Sequence, residues 1–115
     1  MDHDRARQLL ARERERIARG LAEVAPEDMG ELADYDQHLG DQGTDLFERE
    51  RDEAIRQQLR AEFEALERAE RRLQEGTYGL SVESGEPIPD ERLEAFPLAE
   101  RTADEQQRYE RLYRR

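Results

Sequence analysis

The sequence predicts a mainly α protein: a long antiparallel coiled-coil hairpin followed by a small, turn-rich module. Three observations carry that expectation. Two proline-free segments each place apolar residues seven apart. A stretch containing Pro26, Gly30 and Gly40 separates them. After Gly76 the helical period gives way to short apolar alternation among turn formers.

The first segment runs from Asp2 to about Val24, with Leu10, Ile17 and Val24 in heptad register and Ala6 and Leu21 on the same flank. Residues 25–42 are too irregular for any period and are expected to form the tip loop of the hairpin. The second helix is expected from about Asp41 to Glu75, striped by Leu59, Leu66 and Leu73 with Ile55 and Phe63 beside them. At 1.5 Å per residue it would span roughly 50 Å. Gly76 is the expected stop. Neither stripe can be buried alone, so the two helices are expected to pack against each other over residues 1–75.

Residues 76–115 form the second expected domain. Thr77 to Pro89 reads as a short β-hairpin, and Asp90 as the cap of a brief helix through Ala95 that Phe96-Pro97 ends. A last helix follows from about Ala103 to Tyr113. A small apolar cluster of Leu80, Val82, Ile88, Leu93, Phe96 and Leu98, joined by Tyr109 and Leu112, is the expected core, with Tyr109 and Tyr113 read as core contacts.

Composition narrows the function. Only 35% of the 115 residues are apolar and 43% are charged, which precludes one large core. A net charge of -11 opposes the phosphate neutralisation on which nucleic-acid binding depends, so no direct specific nucleic-acid contact is expected. All nineteen basic residues are arginine. There is no cysteine, hence no disulfide and no thiolate site. The N-terminus lacks an apolar run and no stretch reaches the length of a membrane span, so a cytoplasmic protein without membrane contact is expected. His3 and His38 are too few for a histidine metal cluster, and no nucleophile motif or phosphate loop is present; the chain is not expected to be an enzyme. Residues 34–45 place Asp at the first, third and twelfth positions of a calcium-type loop, but Leu39 replaces the turn glycine and Asp45 the bidentate Glu, so no calcium site is expected.

Glu75-Gly76-Thr77-Tyr78-Gly79, Gly85-Glu86-Pro87-Ile88-Pro89, Glu91-Arg92-Leu93-Glu94-Ala95 and Pro97-Leu98-Ala99 resemble the DksA/TraR family of bacterial transcription factors. Gly30 to His38 and Gly43 to Asp52 resemble its Gram-positive, YteA-like branch. The resemblance implies a bacterial transcription regulator, active as a monomer, whose hairpin enters the secondary channel of RNA polymerase and acts with its tip near the active site. By that resemblance Asp41 matches the tip aspartate and Gly43 the small residue beside it, with Asp34, Asp36, His38 and Asp45 flanking them. An Asp at 41 also suits ordinary helix capping.

Family members bind one zinc through two C-x-x-C pairs. The matching positions here are Ser81, Ser84, Thr102 and Glu105, so the resemblance implies a degenerate zinc-finger-like module. Hydroxyls do not replace thiolates for Zn²⁺, and no metal or other cofactor is expected. Thr102-Ala103-Asp104-Glu105 has instead the pattern of a helix capping box, and Ser81 with Ser84-Gly85 suits a hydrogen-bonded turn. Two other functions remain open: a coiled-coil adaptor binding a different protein, and self-association along Leu59, Leu66 and Leu73.

Overall fold

A computed structural model describes residues 1–24 and 42–113, the side chains of residues 42–45 excepted. Four helices follow one another: α1 His3–Glu23, α2 Gln42–Glu75, α3 Asp90–Ala95 and α4 Ala103–Tyr113. The chain divides into two compact units. Met1–Arg14 with Ala65–Arg115 make the module unit, and Glu15–Glu64 make the helix-pair unit.

In the helix-pair unit the heptad pattern accounts for burial. Ile17 is fully enclosed, and Val24 and Leu59 are buried with it. Full burial of a side chain of this size stabilises by about 1.5–3 kcal/mol. The helices run antiparallel: Arg16 pairs with Glu62 at 2.6 Å, and farther along α1 Gly20 lies against Leu59. A Cβ on Gly20 would stand 3.0 Å from a Leu59 methyl, so the missing side chain permits this close approach. Ile55, expected in the stripe, is 41% exposed.

In the module unit Ala6, Leu9 and Leu10 of α1 and Leu66 and Ala69 of α2 are buried together with Ile88 and Leu93. Burial of Leu59 and Leu66 within the chain removes two of the three leucines from a self-association surface. α2 ends as expected at Gly76, whose φ of 80° suits glycine. The Gly76 N–H donates to the Leu73 carbonyl and the Thr77 N–H to that of Arg72, the two bonds of a Schellman cap.

Beyond Gly76 the expected β-hairpin is reduced to one antiparallel bridge between Leu80 and Pro87. The Ile88 N–H donates to Gly79 at 2.7 Å and that of Ser81 to Glu86 at 2.8 Å. The ladder does not extend because the Glu86 N–H donates to the Ser84 hydroxyl and the Ser81 carbonyl accepts from Gly85, while Gly79 at the other end has a φ of 89°, outside strand geometry. Asp90 does not cap α3. The cap position is Pro89, with no side-chain bond, and Asp90 is the first helical residue. There its charge favours the helix N-terminus.

The expected apolar cluster is also corrected. Ile88 and Leu93 are buried and Leu98 is half-buried, but Leu80, Val82, Phe96 and Leu112 are exposed. Tyr109 and Tyr113 are surface residues, 38% and 72% exposed, with ring centroids 4.9 Å apart. α4 turns Glu105 inward instead, and the Arg101 guanidinium covers the Tyr109 ring at 3.9 Å.

Candidate functional site

Two groups of residues were expected to carry function, and they fall differently. Asp34, Asp36, His38 and Asp41 lie outside the described residues, as does the expected tip loop. Gly43 and Asp45 belong to the first turn of α2, and the Asp45 side chain is outside the description. Ser81, Ser84, Thr102 and Glu105 are all described, and they converge.

Glu105 is their centre. It is 6% exposed, one of two buried polar residues among those described, and the other is Ser81 at 5%. The capping box is formed in full. The Thr102 N–H donates to the Glu105 carboxylate at 2.8 Å, and the Glu105 N–H donates back to the Thr102 hydroxyl oxygen at 3.3 Å. The hydroxyls of Ser81 and Ser84 stand beside that carboxylate. These neighbours favour its charged form, and its pKa is lowered to about 2, the Ser81 and Ser84 hydroxyls being the largest causes. The Ser81 oxygen in turn accepts the N–H groups of Glu83 and Ser84 at 3.0 and 3.2 Å, and the Ser84 oxygen that of Glu86 at 3.2 Å. Gly85, with φ 75°, completes the turn by donating to the Ser81 carbonyl. Each hydroxyl thus braces the backbone of the turn that faces the Glu105 carboxylate.

Around this centre, arginine forks tie the unit. Arg68 grips Glu100 through two nitrogens at 2.9 and 3.0 Å, and Arg72 adds a third bond at 3.1 Å. Burial pushes the Glu100 pKa up, but the two guanidinium groups outweigh it and hold the carboxyl below its ordinary value. Arg5 of α1 grips Glu94 of α3 at 2.7 and 2.6 Å, and Arg14 grips Glu70 at 2.9 and 2.6 Å. Bidentate pairs fix orientation as well as supplying charge-assisted bonds. Arg101 bonds Glu83, and Arg92 donates to the Arg101 carbonyl. The Tyr78 hydroxyl donates to the Pro97 carbonyl at 2.7 Å, and burial raises its pKa to about 12.

The sequence motif reveals the Thr102–Glu105 half of the network but not the Ser81 and Ser84 half, which is non-local. Glu100, Tyr78 and Arg92 also escape sequence reasoning. The one available signal is the four-residue spacing of Arg68 and Arg72, which puts both on one face of α2.

The chain was compared with known proteins. Residues 76–111 match the family model described as prokaryotic dksA/traR C4-type zinc finger. YteA of Bacillus subtilis, an uncharacterized protein, is 45% identical over 75 residues, which cover 65% of this chain and 31% of YteA. The RNA polymerase-binding transcription factor DksA of Caulobacter vibrioides is 34% identical over 85 residues, 74% of this chain and 55% of that protein. This chain therefore spans about a third of the one and just over half of the other. The solved structure of transcription factor DksA2 from Pseudomonas aeruginosa superposes with a TM-score of 0.76 at 25% identity, covering 98% of this chain and 86% of that one.

The C4 description implies a zinc held by four thiolates, and the residues present do not fit it. Residues 76–111 contain neither cysteine nor histidine. No group of three or more His, Cys, Asp or Glu side chains suited to a metal occurs among the described residues. Serine and threonine hydroxyls are protonated and poor zinc ligands, and one carboxylate cannot make a tetrahedral N/S site. Residues 76–111 thus match a DksA/TraR-type zinc-finger module that carries no cysteine, in a chain similar in sequence and fold to DksA proteins.

Proposed function

We propose that this chain is a transcription regulator that binds RNA polymerase. The observation that carries the reading is the likeness to DksA2 over 98% of the chain, reinforced by identity to a DksA named for polymerase binding. Charge is consistent with it: at -11 the chain is repelled by phosphate backbones and attracted to basic protein surfaces.

The proposed mechanism is entry of the helix pair into the polymerase secondary channel, with the segment joining α1 to α2 acting near the active site. Asp41 is the proposed acting carboxylate, Gly43 the small residue beside it, and Asp34, Asp36, His38 and Asp45 the flanking groups. A carboxylate brought to a recessed site acts on a metal ion or a basic loop through its field, which a neutral amide of the same shape does not reproduce. The module unit supplies a second contact with the polymerase exterior.

The test is retention on core polymerase followed by in vitro transcription with wild type and Asp41→Asn. The expected result is binding by both proteins and a transcriptional effect from wild type alone. Equal effects from the two would refute Asp41 as the acting group. Failure of wild type to bind polymerase, with other proteins recovered by crosslinking in cells, would establish the adaptor reading instead.

A further inference from the structure

We propose that the Glu105 carboxylate is the structural hub of the module, standing where a metal ion would otherwise join its two halves, with Ser81, Ser84, Thr102 and Glu105 at the four former ligand positions. The geometry supports this in three ways. The residues come in two pairs distant in sequence, 81 and 84 within the turn that the Leu80–Pro87 bridge closes, 102 and 105 at the start of α4. A zinc ion would join such pairs by bonding both. Here the Val82 N–H to Glu100 carbonyl bond at 2.9 Å holds the two segments together, and one buried carboxylate accepts the Thr102 N–H of the second pair at 2.8 Å while lying beside the hydroxyls of the first. Finally, Glu105 and Ser81 are the buried polar residues among those described, whereas Leu80 and Val82 beside the first pair and Tyr109 and Leu112 of α4 remain exposed.

The substitution exchanges one kind of centre for another. A zinc site gathers anions around a cation, while this site gathers neutral donors around an anion. Each oxygen of a carboxylate accepts bonds at two lone pairs, so Glu105 has room for the Thr102 N–H and for both serine hydroxyls. The donors need no deprotonation, and nothing in the set is open to thiol oxidation. The folded module is therefore independent of both zinc supply and redox state.

Three measurements on the full chain test this. First, thermal unfolding of wild type followed with a strong zinc chelator and with added Zn²⁺ is expected to give superimposable curves; a melting point lowered by the chelator would overturn the proposal. Second, Glu105→Gln keeps the side-chain shape but exchanges one acceptor oxygen for a donor, setting N–H against hydroxyl or N–H. It is expected to lower Tm by about 5 °C or more, and a melting point equal to wild type would sink the hub. Third, the quadruple variant Ser81→Cys/Ser84→Cys/Thr102→Cys/Glu105→Cys is expected to bind one Co²⁺ with the absorption bands of a tetrahedral thiolate site, and to melt higher with Zn²⁺ than without. Absence of those bands would refute the placement at four ligand positions. None of these readouts involves polymerase, so they stand apart from the functional reading.

Discussion

The helix-pair unit and the module unit draw on the same two helices, yet they are held differently. In the helix-pair unit Ile17, Val24 and Leu59 are buried while Leu46, Phe47 and Ile55 stay exposed. Its ion pairs include the local Arg19–Glu15 and Arg56–Glu53 contacts and the cross-helix Arg16–Glu62. In the module unit seven apolar side chains are buried, and carboxylates with several donors each close the structure from the sides. A chain so rich in charge packs tightly where its charges converge on shared, half-buried partners. Where they pair along one helix, each contributes only a few tenths of a kcal/mol.

The sharpest way to break this contrast is to remove packing from each unit. Leu93→Ala empties a fully buried position and is expected to cost about 2–5 kcal/mol. Ile55→Ala, at a position 41% exposed, is expected to cost only about 0.5 kcal/mol. Denaturant titration with unchanged m-values checks both; equal costs would erase the distinction.

Acid probes the same difference collectively. Glu105, Glu100 and Glu94 in the module unit and Glu62 in the helix-pair unit all have folded pKa values below the ordinary 4.5. For Glu105 and Glu94 the hydrogen bonds to the carboxylate dominate; for Glu100 and Glu62 those bonds overcome an opposing effect of burial. A depressed folded value means the contribution is complete above the unfolded pKa and is lost as pH falls. Stability is therefore expected to hold at neutral pH and to decline from about pH 4.5 toward pH 2, where Glu105 takes up its proton. Tm measured across that range checks the sign, and Glu105→Gln should flatten the lower part of the curve.

Smaller effects come from single polar contacts. Glu100→Gln weakens three charge-assisted bonds and is expected to cost about 1.5–3 kcal/mol, against about 0–1 kcal/mol for Glu62→Gln facing a half-exposed Arg16. Tyr78→Phe removes the bond to the Pro97 carbonyl and is expected to cost about 1 kcal/mol, seen in the same titrations.

Much of the architecture was readable from residues alone because its signals are local. Heptad spacing, the Gly76 stop and the Thr102-x-x-Glu105 box each occupy one stretch of chain, and α1, α2 and α4 begin and end within a residue or so of where those signals put them. The misreadings share a different cause. Tyr109, Leu112 and Phe96 were assigned to the core because they are apolar, but the inward face of α4 carries Glu105, and a buried carboxylate runs against the default for its residue type. Its neighbours Ser81 and Ser84 lie more than twenty residues away in sequence, a proximity that no periodicity encodes. The bridge does not grow into a hairpin because the turn itself takes up the Glu86 N–H and the Ser81 carbonyl and Gly79 leaves the strand conformation, choices that the alternating apolar residues do not reveal.

The arginine forks have a chemical corollary. With no lysine anywhere in the chain, the planar two-nitrogen grip on Glu94, Glu70 and Glu100 comes from a cation that stays charged at any pH the protein meets, and the surface presents no side-chain primary amine. Reagents and acylating enzymes that act on lysine find no foothold among its side chains, so capturing its partners through side chains calls for carboxylate- or guanidinium-directed chemistry.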